Sequence, residues 1–209
     1  MPSVTTGRSY LPLLLLVLLF GLPPTAGWLY IMNPQWLPEK QKNHGTLVSP
    51  PRPLQSLRLK DDRQQPFDWD TLSGKWILIS RNSGTCDNGC RQQLLALRQI
   101  RRALGAERLR VERLLIQESP TADGAMGEAS GFAEGAQVLY LPTDQQTQFD
   151  RLFAVSGTDH DNAIYLADPR GMLMMGYSAS SPKKDILKDL ETLLKASSNW
   201  TTGVNNGHG

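Results

Sequence analysis

The apolar run Trp76-Ile77-Leu78-Ile79-Ser80 leads into a polar loop, Gly84-Thr85-Cys86-Asp87-Asn88-Gly89-Cys90, that holds both cysteines of the chain. A continuous apolar run of this kind reads as a strand buried on both faces. Beyond Cys90, Leu94, Leu97, Ile100 and Leu104 recur at helical spacing with Arg and Gln between them, and Gly105 supplies a stop. Residues 109–117 read as a second strand. Strand, reactive loop, helix and strand make a βαβ unit, which implies parallel pairing and a right-handed crossover.

The rest of the chain adds to this unit. Residues 118–134 are rich in Gly, Ala and Ser and read as a loop or weak helix, residues 136–141 as a strand, and residues 144–153 as a short helix. Residues 163–167 and 173–177 flank Asp168-Pro169-Arg170-Gly171, whose turn chemistry predicts a hairpin. A last helix has Ser181 as N-cap and Pro182 at its first position, with Ile186, Leu187, Leu190, Leu193 and Leu194 on one face. Leu57-Arg58-Leu59 and Phe67-Asp68-Trp69 read as an opening hairpin. This order predicts an α/β, thioredoxin-like fold over residues 54–198, followed by a frayed tail at 199–209.

Before it, Leu11–Met32 contains no charged residue and is long enough to cross a bilayer. The competing reading is a cleaved signal peptide with a small-residue cleavage zone at 23–27. The anchor is favoured because Trp28, Leu29, Tyr30, Ile31 and Met32 continue the apolar run, and Trp28 and Tyr30 suit a membrane interface. Pro23 and Pro24 are expected to kink the helix. Residues 1–10 are then a cytoplasmic N-terminus, and residues 33–53, with Pro34, Pro38, Pro50, Pro51 and Pro53, an extended tether in which His44 is solvated. With 22 basic and 20 acidic residues, the net charge of +2 gives no global field for nucleic acid.

Two cysteines spaced Cys-x-x-x-Cys at a helix start can turn both sulfurs to one side, where they can close into a disulfide or bind a soft metal. A metal needs a further ligand. Of the three histidines, His208 lies in the tail and His44 in the tether, whereas His160 stands in the polar loop Gly157-Thr158-Asp159-His160-Asp161-Asn162 before a predicted central strand. Met172, Met174 and Met175 read as core-filling strand residues rather than further ligands for a soft metal, and Arg98, Arg101 and Arg102 as a solvated helix face.

Taken together, the Gly-Lys-Trp strand start, the Cys-x-x-x-Cys loop, and Asp159-His160 followed by Ala163-Ile164-Tyr165-Leu166-Ala167-Asp168-Pro169-Arg170-Gly171 resemble the Sco/SenC family of cytochrome oxidase assembly proteins. The resemblance implies one copper, Cu(I) or Cu(II), held by Cys86, Cys90 and His160. It implies a single-pass protein of a bacterial inner membrane with its soluble domain in the periplasm, acting on the copper-bearing subunit of cytochrome c oxidase and meeting other copper chaperones. It also implies that the same Cys86 and Cys90 pair can act as a thiol reductant, so a thiol-disulfide oxidoreductase working without metal is the alternative. The family usually places Pro after each Cys; here Asp87 opposes and Arg91 favours thiolate formation. A peroxidase-like relative is disfavoured, because no Pro-x-x-x-Thr-x-x-Cys motif precedes the thiol.

Overall fold

The computed structural model describes residues 10–33, 43–82, 86–118, 133–158 and 162–198, which fall in two compact units, Met1–Lys42 and Asn43–Gly209. His160, most of the segment read as loop or weak helix, and the tail lie outside the described residues.

In the first unit, α1 (Leu11–Met32) is one continuous helix that runs through Pro23 and Pro24. Its 22 residues span about 33 Å at 1.5 Å per residue, enough for a hydrocarbon core of roughly 30 Å. Leu11–Leu29 is apolar enough for that role and none of it is buried. The Thr25 hydroxyl donates to Gly21 O at 2.9 Å and Leu22 O at 3.0 Å, bringing an extra donor next to the turn where the two prolines remove backbone N–H groups.

The second unit is built on one six-stranded sheet of β1 (Thr46–Pro53), β2 (Trp76–Asn82), β3 (Val111–Glu118), β4 (Gln137–Leu141), β5 (Ile164–Ala167) and β6 (Met172–Tyr177), ordered β1-β6-β5-β2-β3-β4. β3 runs parallel to β2 and β4, as the βαβ reading requires, and the remaining pairings are antiparallel. Among the described residues, three helices cover the sheet: α2 (Asn88–Ala103), α3 (Gln146–Phe153) and α4 (Lys183–Ala196).

Alternation along the strands sorts the core into two layers. Ile77, Ile79, Leu114, Ile116 and Tyr165 pack with Phe149 and Phe153 of α3, whereas Trp76, Leu78, Val111 and Leu166 pack with Leu97 and Ile100 of α2 and Ile186 and Leu190 of α4. Every residue of β2 is buried, so the strand that leads to Cys86 is fixed from both sides. Each such aliphatic or aromatic side chain contributes about 1.5–3 kcal/mol by leaving water.

The structure corrects several sequence expectations. Residues 46–53 are not tether but the edge strand β1, paired with β6. An edge tolerates prolines because its outer N–H groups have no ladder partner to lose. Arg52 holds the strand down: its Nη1 donates to the carbonyls of Arg151, Leu152 and Ala154 at 2.9, 2.8 and 3.0 Å. Nor is His44 simply solvated. Its Nδ1 lies 2.8 Å from Asp189 Oδ1, its backbone N–H donates to Asp189 Oδ2 at 2.8 Å, and its Nε2 lies 3.6 Å from Asp185.

The expected opening hairpin shrinks to a single bridge, Lys60–Pro66, with Lys60 also bridged to Tyr140 of β4; Leu57 and Leu59 are drawn into the core instead. Pro182, not Ser181, is the N-cap of α4, and its carbonyl accepts the N–H of Asp185 at 2.9 Å.

Candidate functional site

Cys86 and Cys90 are joined in a disulfide, with Cα atoms 5.2 Å apart. The local sequence explains how the helix begins there. Asp87 is the N-cap of α2, in extended backbone conformation, and its carboxylate accepts the N–H of Cys90 at 2.9 Å. An Asp at this position satisfies one of the helix's orphan donors. The following turn is closed by Arg91 N–H donating to Asp87 O at 3.0 Å.

The two sulfurs have different surroundings. Cys90 is 2% exposed and packs with Leu94, Leu115 and Ala133, whereas Cys86 lies at the margin of this apolar cluster and is only half-buried. Of the two, Cys86 Sγ is the one more open to an incoming thiolate, and Cys90 would then be the sulfur released.

A second segment closes on the helix start from the other side. Gln93, buried on α2, donates from Nε2 to the carbonyl of Ala163 at 2.6 Å, just before β5. Asn162, in the left-handed region with φ 61°, lies so close to Gly89 that a Cβ there would be 2.9 Å from its Nδ2. A side chain at position 89 would push the Asn162 amide aside. A cleft of about 350 Å³, lined by Gly89, Gln92, Gln93, Asn162, Ile164 and Ser181, opens beside these residues.

Sequence reasoning found the cysteines but not Asp87 as cap, Gln93 as strut, or Asn162 as neighbour. Asp three residues before Cys90 is a legible capping signal, whereas Gln93 and Asn162 meet their partners only through the fold. Among the described residues, no group of three His, Cys, Asp or Glu side chains is arranged to hold a metal ion. Cys86 and Cys90 offer two sulfurs. Met175 is buried in the core and Met174 packs against it, in keeping with their reading as core-filling residues.

Residues 76–197, more than half of the chain, match the family described as transmembrane-like, thioredoxin-like, C-terminal domain. The chain belongs to this family. Its thioredoxin-like fold is shared with Sco1 from Thermus thermophilus (20% identity, TM-score 0.57, covering 72% of this chain and 96% of that one). Copper-bound yeast Sco1 is also similar (19%, 0.53, 66% and 90%), as is the thioredoxin domain of a thiol-disulfide oxidoreductase from Bacteroides vulgatus (14%, 0.50, 65% and 91%). The resemblance read from the sequence thus reappears in three dimensions, and at these identities the likeness is one of fold. Compared by sequence with curated proteins, the chain matches none.

Proposed function

We propose that this thioredoxin-like protein is a membrane-anchored copper-binding assembly factor for the copper centre of a respiratory cytochrome c oxidase, with Cys86, Cys90 and His160 as its ligands. The observation that carries the reading is the placement of the cysteine pair: both sulfurs converge at a capped helix start, and Asn162, two positions after His160 in the sequence, lies against Gly89. Copper is cargo in this reading, one ion per domain. The copper-bound Sco proteins of the same fold lend it support.

Two thiolates are available only after the disulfide is reduced. A partner dithiol does this by attack of one thiolate on Cys86 Sγ; the Cys86–Cys90 bond breaks and Cys90 leaves as thiolate. The partner's second thiolate then displaces Cys86, so the partner is oxidised to a disulfide and the pair reduced by two electrons. The reduced pair and an imidazole form a soft three-coordinate set suited to Cu(I), open to ligand exchange. The soluble domain is assigned to the periplasmic side of a bacterial inner membrane, where such a client would be met.

A second reading is favoured by the disulfide itself: a thiol-disulfide oxidoreductase acting on oxidase cysteines without metal. Titration of the reduced full-length chain with Cu(I) separates the two. One tightly held ion per chain, lost in Cys86→Ser and weakened in His160→Ala, is expected. Absence of binding, or affinity indifferent to His160, together with turnover on a protein disulfide, would favour the oxidoreductase.

A further inference from the structure

Away from the cysteines, a cavity of about 190 Å³ is lined by Arg98, Arg101, Arg102, Arg108, Arg113 and Glu134. Five guanidinium groups thus share it with one carboxylate. They come from three elements that the fold brings together: α2 supplies the first three, the turn Gly105–Arg110 supplies Arg108, and β3 supplies Arg113.

Some of this charge is already matched. Arg98 Nη2 lies 2.5 Å from Glu134 Oε2, and Arg101 donates from Nε to Val111 O at 2.6 Å, with its Nη2 3.6 Å from Glu112. Arg113 is different. It is 3% exposed, its Nη2 donates to the carbonyl of Glu134, and among the described residues its Nε and Nη1 have no partner.

A buried guanidinium with two nitrogens idle is costly, because their N–H groups have left water without replacement hydrogen bonds. Burial, followed by the charges of Arg101, Arg98 and Arg102, holds its pKa below the ordinary arginine value. Both costs fall if an anion enters. Guanidinium forks pair bidentately with phosphate oxygens, and a doubly charged tetrahedral oxyanion answers a cavity with this excess of positive charge. The volume is smaller than the roughly 300–1,000 Å³ of sites for drug-sized ligands, in keeping with a small ion.

We infer that this cavity is a binding site for a phosphate-type oxyanion, either inorganic phosphate or the phosphate of a small monoester, with Arg113 as its buried anchor and Arg102 and Arg108 closing over it. The test is calorimetric titration of the full-length chain, in detergent and phosphate-free buffer, with inorganic phosphate and separately with glycerol 3-phosphate; the tighter of the two identifies the source. One saturable site is expected, with affinity about tenfold weaker or worse in Arg113→Met, as loss of charge-assisted hydrogen bonds implies. Because Arg113→Met removes a buried group, the double variant Arg102→Gln with Arg108→Gln, both at exposed positions, is titrated alongside and is also expected to bind more weakly. No saturable binding of either compound, or an unchanged affinity in the folded variants, overturns the inference.

Discussion

The Asp87 carboxylate accepts the backbone N–H of Cys90 at 2.9 Å, so the residue between the two cysteines that begins α2 also fixes the position of the buried sulfur. Replacing Asp87 with Ala is expected to cost about 1 kcal/mol of folding stability, the usual loss for an N-cap, while Asp87→Asn retains most of it. Urea denaturation of the three proteins checks this, and equal midpoints for all three would show that the cap is idle.

The unequal burial of the two sulfurs predicts unequal reactivity once the disulfide is opened. In Cys90→Ser, the remaining Cys86 should react with a maleimide on the order of tenfold faster than Cys90 does in Cys86→Ser, because access governs thiol chemistry at otherwise similar sites. Stopped-flow alkylation at one pH measures both rates. Comparable rates would remove the assignment of Cys86 as the attacked sulfur.

Asp189 is 4% exposed and receives four donors: the N–H of His44 and of Gly45, the His44 ring, and the hydroxyl of Tyr177 at 3.1 Å. Asp189→Ala strands these donors inside the protein and is expected to cost about 3 kcal/mol or more. His44→Ala, which leaves the backbone contacts in place, should cost much less. Denaturant midpoints of the two variants rank them.

Tyr177 gives the fold a defined response to alkali. Burial first, then the Asp189 charge and the hydrogen bond to it, push its pKa well above the ordinary tyrosine value near 10. Below about pH 10 the phenol is neutral in both the folded and unfolded chain, so its contribution is fully present. Above that, the unfolded chain releases the proton while the folded one keeps it, and stability falls as pH rises, by at most about 1.4 kcal/mol per pH unit. Midpoints measured at about pH 9 and about pH 11 should converge between wild type and Tyr177→Phe on going to the higher pH; a constant gap would contradict the sign.

The edge strand offers a test of where the domain begins. A chain starting at Asn43 should fold as a soluble unit, whereas one starting at Leu54 loses β1, the cover of Val48 over the core and the Asp189 clamp. Loss of cooperative unfolding in the second chain is expected by thermal circular dichroism. Equal melting temperatures would restore residues 46–53 to the role of tether.

What could be read from the sequence was whatever has a local period or a local chemistry. The βαβ unit around the cysteines came from a buried run followed by Leu94, Leu97 and Ile100 at helical spacing, and the hairpin came from its Asp-Pro-Arg-Gly turn. The missing parts depend on distance along the chain. His44 and Asp189 are 145 positions apart, so neither announces the other. Pro50, Pro51 and Pro53 lower strand propensity, and only knowledge that the segment lies at a sheet edge reverses the reading. Arg113 looks like a stray charge within an apolar strand until α2 places Arg98, Arg101 and Arg102 around the same cavity. At the cysteine site, the spacing of Asp87 three residues before Cys90 is the local signature of a helix cap, and the same carboxylate also bears on thiolate charge.

The two margins of the sheet have a consequence for life in a crowded layer. On one side β1 presents backbone positions that cannot donate, at Pro50, Pro51 and Pro53. On the other, Lys60 exchanges both of its main-chain hydrogen bonds with Tyr140, at 3.0 and 2.8 Å, and occupies part of the β4 edge. Where copies are crowded together, open rims of this kind are where a second strand would add. Among the described residues, prolines on one rim and the Lys60 pairing on the other shorten the row of main-chain donors and acceptors that a second strand could zip onto.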